Sequence, residues 1–319
     1  MTKNVLVTGG LGLLGKPLIS FLGKKNFNVF VLDKSKNQKR NKLIKKNKIS
    51  FIYGNFQNKP LLKKIIKKKN IKIIFHTGAI TQVLEGLRDP YKTYKNNIMG
   101  TINVLESIRE IDSNILFIYS SSDKAYGNSE ILPYEESFPL NGIYPYEVSK
   151  SATDMLCKTY KNTYNLKVST LRCGNIYGGG DLNWERLVPG VIKYLLNNET
   201  PILRSNGTYK RDWVYVEDVI HAYTGVGSAL LDSGINVADS YNFSSIDYLS
   251  VIELYKKIVY KFSENYIEPI IQVSSEFEIK DQYLSSIKIE KELGISSNFD
   301  IDLGLENTIN WYRKFFADI

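Results

Sequence analysis

The fold of this chain is decided by a stretch near its N-terminus, Asn4-Val5-Leu6-Val7-Thr8-Gly9-Gly10-Leu11-Gly12-Leu13-Leu14-Gly15. Its first five residues are typical of a short buried β-strand, and an amphipathic helix pattern begins near Leu13. Gly10, Gly12 and Gly15 have the spacing in which glycines permit a tight turn and let the backbone approach a pyrophosphate. The phosphates would lie at the positive N-terminus of the helix. The stretch predicts a dinucleotide-binding unit, although a purely structural glycine turn has the same pattern.

A carboxylate at the end of the next strand strengthens this interpretation. Asp33 ends a predicted strand over residues 29–33, about 20 residues after the glycines, where dinucleotide folds place an acidic residue. A carboxylate there accepts hydrogen bonds from the ribose hydroxyls and repels a 2′-phosphate. The pattern predicts NAD as the cofactor in preference to NADP, and Lys34 beside it weakens that preference.

The first half of the chain alternates β-branched runs with longer amphipathic stretches, which predicts β-α units and a parallel sheet. The predicted strands cover residues 4–8, 29–33, 49–53, 71–76, 115–119 and 168–172. The predicted helices lie near residues 13–25, 60–69, 90–110 and 146–164. The pattern indicates an α/β fold with a Rossmann-type doubly wound sheet. Regularity fades after Tyr177, so we expect an NAD-binding domain over residues 1–177 and a smaller, interleaved substrate-binding lobe over residues 178–319.

Composition excludes several classes of protein. No stretch reaches the roughly 18 apolar residues of a membrane helix, and no basic-then-apolar leader follows Met1. The only cysteines, Cys157 and Cys173, are too few for a disulfide framework. We therefore expect a cytoplasmic protein with reduced thiols and no membrane partner.

The net charge of +9 raises the question of nucleic-acid binding. Many lysines lie in runs such as 67–69, beside Leu62, Ile65 and Ile66 at helical spacing, so they indicate the solvated face of a packed helix. No recognition motif accompanies the charge, and we expect no nucleic-acid partner. His76 and His221 stand outside any cluster with metal-ligand spacing, so we also expect no metal site.

Tyr146 and Lys150 are four residues apart in a helix pattern that begins after Pro145, so both project from one face. A lysine ammonium one turn away would lower the pKa of the tyrosine and could hold the nicotinamide ribose. Such pairs arise by chance in a chain with 22 tyrosines. The position after the fifth predicted strand makes this pair a catalytic candidate.

Polar residues also follow the strand over 115–119, in the segment Ser120-Ser121-Ser122-Asp123-Lys124-Ala125-Tyr126-Gly127. The carboxyl ends of the strands are where an open α/β sheet places its ligands. Ser122 could hydrogen-bond a sugar hydroxyl, and Asp123 and Lys124 provide a possible acid and base. The alternative is a serine-rich loop with an internal salt bridge.

Taken together, these segments resemble the extended short-chain dehydrogenase/reductase family, and the resemblance runs over almost the whole chain. Within that family, the Ser-Asp-Lys segment followed by Ala-Tyr-Gly most resembles the CDP-glucose 4,6-dehydratase group. The motifs that carry the resemblance are residues 8–15, 75–79, 97–101, 122–127, 146–150, 172–178, 175–181, 186–189 and 211–218.

The resemblance implies a homodimeric enzyme that binds NAD and a nucleotide-diphosphate sugar. It implies a catalytic Ser122, a tyrosinate base at Tyr146 and a supporting Lys150. Asp123 would protonate the departing C6 hydroxyl, and Lys124 would assist proton removal at C5. Asn97 would support the tyrosine and lysine. The residues that the resemblance implies at NAD are Gly9, Gly12, Leu13, Leu14, Gly15, Asp33, Asn55, Phe56, Gly78, Ala79, Tyr146 and Lys150. Those that it implies at the substrate are Asn175, Arg186, Leu187 and Arg211.

Departures from the family pattern leave the nucleotide base open, and several activities remain to be compared. Asn55 stands where relatives usually have an aspartate, and Tyr283 and Ser285 stand where they often have arginine and aspartate near the nucleotide. A 4,6-dehydratase is the favoured prediction because Asp123 and Lys124 have no role in a nucleotide-sugar 4-epimerase. A C4 reductase and a non-catalytic dinucleotide-binding protein remain further alternatives.

Overall fold

The computed structural model describes residues 3–25, 27–35, 48–232, 237–245, 247–272 and 279–318. Its centre is a seven-stranded parallel sheet with the strand order β10-β6-β5-β4-β1-β2-β3. The strands of this sheet are β1 (Lys3–Thr8), β2 (Phe27–Asp33), β3 (Ile49–Tyr53), β4 (Ile73–His76), β5 (Leu116–Ser120), β6 (Val168–Cys173) and β10 (Ser240–Phe243). Five further strands form two small sheets: β7 (Asn175–Tyr177), β8 (Ile202–Leu203), β9 (Lys210–Tyr215), β11 (Tyr248–Ser250) and β12 (Ile270–Ile271).

Helices cover both faces of the central sheet and build most of the C-terminal lobe. They are α1 (Gly15–Lys24), α2 (Lys59–Lys68), α3 (Val83–Arg88), α4 (Pro90–Tyr94), α5 (Gly100–Ile111), α6 (Pro145–Tyr164), α7 (Leu187–Leu196), α8 (Val216–Leu231), α9 (Val251–Tyr260), α10 (Ile287–Leu293) and α11 (Ile301–Ala317). A π-helical turn, Lys95–Met99, joins α4 to α5, and a 3₁₀ turn, Asp123–Tyr126, follows β5.

The core has two layers because successive side chains of a strand point to opposite faces of the sheet. Val5 and Val7 of β1 pack in the layer that also contains Leu18 of α1 and residues of α8. Leu6, between them, packs in the other layer with residues of α2, α5 and α6. Apolar residues of α7, α9 and α11 belong to the first layer, so the C-terminal lobe shares its core with one face of the sheet.

The strand order places a crevice where the ligand sites were expected. From β1 the chain adds β2 and β3 on one side, and it then returns to add β4 on the other side of β1. Ligands of open α/β sheets bind outside the carboxyl ends of the strands at such a reversal. The doubly wound parallel sheet predicted from the sequence is therefore confirmed.

The structure differs from the sequence-based expectations at two places. The helix expected over residues 90–110 contains the π-helical turn at Lys95–Met99, a feature that often marks functional sites. The seventh strand, β10, comes from the C-terminal half and pairs with β6. It was missed because all four of its residues are buried, so it lacks the alternating pattern of a half-exposed strand. The domain boundary at residue 177 stays a prediction.

The lysine-rich helix α2 packs against the core as the sequence predicts. Leu62, Ile65 and Ile66 of α2 are buried, and the lysines at 67–69 are exposed. Within the described residues, no helix is both long enough and apolar enough to cross a bilayer. The same part of the chain contains no group of three or more histidine, cysteine or acidic side chains arranged to hold a metal.

Candidate active site

The glycine turn after β1 is closely packed. Gly9 has a φ of +69°, which favours glycine, and its carbonyl accepts a hydrogen bond of 3.1 Å from the backbone N–H of Gly12. A Cβ atom on Gly15 would lie 2.6 Å from both the Gly9 carbonyl oxygen and the Gly10 Cα. Both contacts are to backbone atoms, so a Cβ at Gly15 could not be accommodated by the movement of a side chain. The turn leaves its backbone and the N-terminus of α1 open to a pyrophosphate, which fits NAD.

Asp33 lies at the end of β2 beside this turn. Its Oδ2 accepts a hydrogen bond of 3.0 Å from the Leu11 backbone N–H, and its Oδ1 accepts one of 2.8 Å from Ser35. The carboxylate is therefore held in a fixed position at the wall of the cleft.

Replacing Asp33 by asparagine is expected to weaken the preference for NAD over NADP. The amide can still accept from Leu11, but it no longer repels a 2′-phosphate or binds the ribose hydroxyls with a full charge. We expect NAD affinity to fall by about 10-fold, because hydrogen bonds to charged groups contribute about 1.5–3 kcal/mol. Fluorescence titration with both nucleotides measures the change, with Asp112→Asn, far along the chain at the end of α5, as the control. An unchanged ratio of the two affinities would contradict the role of Asp33.

A single cleft of about 870 Å³ lies at the carboxyl ends of the central strands. It is lined by all the residues expected to bind NAD, together with the expected catalytic and substrate residues except for Asp123 and Asn97. The expected residues on its wall are Gly9, Gly12, Leu13, Leu14, Gly15, Asp33, Asn55, Phe56, Gly78, Ala79, Ser122, Lys124, Tyr146, Lys150, Asn175, Arg186, Leu187 and Arg211.

Tyr146 and Lys150 lie in the first two turns of α6 and both face the cleft. Lys150 Nζ donates a hydrogen bond of 2.6 Å to the Ser120 carbonyl and lies 6.0 Å from the centroid of the Tyr146 ring. Burial lowers the pKa of Lys150 to about 8. These positions fit an ammonium group held beside the phenol by the end of β5.

The expectation that the pKa of Tyr146 is lowered is wrong. Burial raises the pKa of Tyr146 to about 12, and a hydrogen bond with Ser122 only partly offsets this effect. Sequence spacing indicates which groups are neighbours, but it does not show how strongly each is desolvated. In this site, the cost of burying a phenolate exceeds the attraction of the nearby positive charges.

Asn97 is buried and lies in the π-helical turn, away from the cleft wall. Its Nδ2 donates a hydrogen bond of 2.9 Å to Ser149 Oγ, and Ser149 Oγ donates one of 2.7 Å to the Tyr146 carbonyl. A second pair of hydrogen bonds joins the Asn97 amide to the backbone of Ile80. Asn97 therefore reaches the start of α6 through Ser149, as a positioning residue would.

Ser122, Asp123 and Lys124 form a connected group at the 3₁₀ turn after β5. Ser122 Oγ donates a hydrogen bond of 2.8 Å to Asp123 Oδ1, and Lys124 Nζ lies 3.1 Å from Asp123 Oδ2. Asp123 is buried, whereas Ser122 and Lys124 reach the cleft wall. Burial lowers the pKa of Lys124, and the nearby Asp123 carboxylate acts in the opposite direction.

The substrate side of the cleft is basic. Arg186, directly before α7, donates hydrogen bonds of 3.0 Å to Asp181 Oδ2 and 2.9 Å to Thr81 Oγ1. Arg211 in β9 is buried and donates to the carbonyls of Lys210, Lys280 and Ile279 at 2.5–2.9 Å. Both guanidinium groups are thus held in place at the cleft wall, as recognition of a diphosphate requires.

Two residues at this site had no signal in the sequence. Lys16 follows the glycine turn, is buried, and donates a hydrogen bond of 2.6 Å to the Gly180 carbonyl. Gln282 is fully buried beneath Lys124, although it is far from it in sequence. No sequence pattern predicts the burial of Lys16, and only the tertiary structure brings Gln282 to the 3₁₀ turn.

Several known proteins are similar to this chain in sequence or in structure. The chain is 29% identical to a putative UDP-glucose 4-epimerase of Methanocaldococcus jannaschii, over 97% of this chain and 98% of that protein. It is 27% identical to a CDP-glucose 4,6-dehydratase of Salmonella typhimurium, over 77% of this chain and 72% of that protein. The structure of dTDP-glucose 4,6-dehydratase from Bacillus anthracis in complex with NAD has a TM-score of 0.85 at 25% identity, over 98% of this chain and 97% of that chain.

The family itself is shown by a match over most of the chain. The model of the NAD dependent epimerase/dehydratase family matches residues 5–235, which contain the glycine turn, Asp33, the 3₁₀ turn, Tyr146 and Lys150. This match confirms the resemblance stated from the motifs, and the expected cofactor agrees with the family. The chain therefore belongs to the NAD dependent epimerase/dehydratase family and is an NAD-dependent enzyme.

Proposed function

We propose that the protein is a nucleotide-sugar 4,6-dehydratase that converts its substrate into an NDP-4-keto-6-deoxy sugar. The observation that carries the proposal is the contact of 3.1 Å between Lys124 Nζ and Asp123 Oδ2, beside Ser122 and Tyr146. An acid and a base are thus adjacent to the groups expected to act at C4. Loss of water across C5 and C6 needs such a pair, whereas inversion at C4 does not.

When bound, NAD would supply a hydride acceptor and donor for the chemistry at C4 and C6, with no net redox change. Ser122 would hydrogen-bond the C4 oxygen, and the small phenolate fraction of Tyr146, whose pKa is raised to about 12, would take the proton from the C4 hydroxyl. The C4 ketone makes the C5 proton more acidic, and Lys124 would remove that proton. Asp123 would give a proton to the C6 hydroxyl, which leaves as water, and would take back the proton that Lys124 removed from C5. When the hydride reaches C6, C5 would take a proton from solvent, and Tyr146 would release the C4 hydroxyl proton to solvent.

The state of Lys124 supports its role as the base. A lysine must lose its proton before it can accept another, and burial lowers the pKa of Lys124, which favours that loss. The direct contact with Asp123 also gives the pair a path by which one proton can pass from base to acid.

The basic side of the cleft supports a nucleotide-diphosphate sugar as the substrate. Arg186 and Arg211 would bind the diphosphate, and the N-terminus of α7, where Leu187 begins the helix, would add its positive dipole. Asn175, at the start of β7, would contact the sugar or diphosphate between them.

A nucleotide-sugar 4-epimerase is the second candidate, because the Methanocaldococcus jannaschii relative is named as one. This activity would use Ser122, Tyr146 and Lys150 in the same way but would return the hydride to C4. Asp123 and Lys124 would then have no chemical role.

Product analysis separates the two activities. The protein with NAD is incubated with the CDP-, dTDP-, GDP- and UDP-activated forms of glucose, and the products are examined by mass spectrometry and proton NMR. The proposal predicts that one of them loses a molecule of water and gives a 4-keto-6-deoxy sugar. A C4 epimer that retains the C6 hydroxyl would instead establish the epimerase.

Replacing Lys124 by methionine is expected to lower the rate of water loss by about 10²–10⁴-fold, the usual contribution of a general base. Methionine keeps much of the side-chain volume, and substrate affinity should change little because the diphosphate contacts remain. Steady-state kinetics measure the effect, with Lys158→Met on the exposed face of α6 as the matched control. Equal rates for the two variants would contradict the role of Lys124.

We also propose that the enzyme is a homodimer that pairs through α4, α5 and α6. Four large side chains on this helical surface are exposed: Tyr91, Met99, Met155 and Tyr164. Sedimentation equilibrium tests the proposal, which a monomer at micromolar concentration would contradict.

A further inference from the structure

Gln282 occupies a buried position between the two sides of the candidate active site. It lies in a segment that runs beside β9, where it forms an isolated parallel bridge with Arg211. Its backbone N–H donates a hydrogen bond of 3.1 Å to the Lys210 carbonyl. Its side chain, which has no exposed surface, extends from there to the 3₁₀ turn that carries Asp123 and Lys124.

Both ends of the Gln282 amide contact this turn. Oε1 accepts a hydrogen bond from Lys124 Nζ, the same atom that contacts Asp123 Oδ2. Nε2 donates to the Asp123 carbonyl at 3.1 Å and to the Gly127 carbonyl at 3.5 Å. The side chain thus holds Lys124 and the two ends of the turn together.

The surroundings fix the orientation of the amide. The carbonyls of Asp123 and Gly127 can only accept hydrogen bonds, and a lysine ammonium can only donate them. A reversed amide would place its N–H groups against the ammonium and its oxygen against the carbonyls. Only one orientation of the amide satisfies all of these buried groups. The position therefore requires a side chain that accepts a hydrogen bond from Lys124 and donates hydrogen bonds to the two carbonyls.

We propose that Gln282 is a positioning residue for the elimination step, which holds Lys124 Nζ at the cleft wall beside Asp123. This inference rests on the proposed dehydratase activity. Both ends of the Gln282 amide are occupied by protein groups, so it acts through Lys124 and not on the substrate. Ser122, Tyr146 and Lys150 have no hydrogen bond with Gln282 among the described contacts, so hydride removal from C4 should not depend on it.

The charge environment explains why a neutral residue fits here. Burial lowers the pKa of Lys124, Arg211 of β9 acts in the same direction, and Asp123 and Glu147 of α6 raise it. Gln282 holds the amine without adding a charge. A glutamate at this position would stabilise the ammonium form, so Lys124 would become neutral, and active as a base, only at higher pH.

The test compares Q282M, Q282E and the matched control Q272M in the full chain with NAD and the nucleotide sugar that the wild type converts. Gln272 follows β12 and has an exposed side chain. Rapid mixing follows reduction of the nicotinamide by its near-ultraviolet absorbance, and mass spectrometry follows water loss over a range of pH. Circular dichroism and thermal unfolding report whether each variant folds.

The inference predicts that Q282M reduces the nicotinamide at the wild-type rate but loses water about 10²-fold more slowly, as expected for a misplaced catalytic group. It predicts that Q282E, which keeps the shape of the side chain, moves the rising limb of the pH-rate profile for water loss upward by about one unit or more. Q272M should behave as the wild type in both measurements.

Two results would overturn the inference. If Q282M slows nicotinamide reduction and water loss equally, or if folded Q282E keeps the wild-type pH limb, then Gln282 has only a structural role. A wild-type enzyme that forms no 6-deoxy product would refute the proposed activity itself, and this is observed before any variant is made.

Discussion

The variant Tyr146→Phe is expected to lower kcat by about 10²–10⁴-fold, because it removes the hydroxyl that exchanges a proton with the C4 oxygen. The aromatic ring remains, so the packing of α6 against the cleft should persist. Tyr146 hydrogen-bonds with Ser122, and phenylalanine loses this contact but keeps its ring beside Lys150. NAD binding should be nearly unchanged because Lys150, Asp33 and the glycine turn remain.

Steady-state kinetics and NAD titration separate these two effects. Tyr164→Phe is the matched control, since Tyr164 ends the same helix and is 45% exposed. Unchanged turnover in Tyr146→Phe would refute the assignment of the catalytic centre. A joint loss of turnover and NAD affinity would show that Tyr146 acts through the cofactor pocket.

The variant Gly15→Ala is expected to lose NAD binding and thermal stability together. The added Cβ would lie 2.6 Å from the Gly9 carbonyl oxygen, so the glycine turn and the start of α1 must separate. Overpacking typically costs about 1–3 kcal/mol of unfolding free energy, and here it also distorts the backbone that would receive the pyrophosphate. Differential scanning calorimetry and NAD titration measure the two effects.

Gly227→Ala is the control for this substitution. Its Cβ would meet the edge of the Phe75 ring at 3.2 Å, a side chain that can adjust, and alanine favours the helical conformation of α8. We expect this variant to bind NAD normally. A Gly15→Ala protein with wild-type affinity for NAD would show that the glycine turn does not form the pyrophosphate site.

The features that the sequence predicted well are those that depend on local pattern. Strand bounds such as residues 49–53 coincide with the observed strand, and helix bounds such as residues 60–69 differ by one residue. Apolar periodicity directly reflects which side chains are buried, so it identifies the elements of a doubly wound sheet. The glycine spacing similarly reflects a backbone turn that few other residues can form.

The features that the sequence did not predict depend on contacts between distant segments. Asn97 was expected to support Tyr146 and Lys150, but the route through Ser149 and the π-helical turn has no local signal. The raised pKa of Tyr146 results from burial, which emerges only when the whole cleft is assembled. A parallel bridge with Arg211 brings Gln282 to the 3₁₀ turn, and no sequence motif predicts this bridge.

Isotope transfer tests the dehydratase proposal most directly. The enzyme with NAD is given the accepted nucleotide-activated glucose carrying deuterium at C4, and the product is examined by NMR and mass spectrometry. The account predicts a 4-keto-6-deoxy sugar with the deuterium in its C6 methyl group, because the hydride removed from C4 is returned to C6. Deuterium found at C4 of an epimer that keeps its C6 hydroxyl would contradict it.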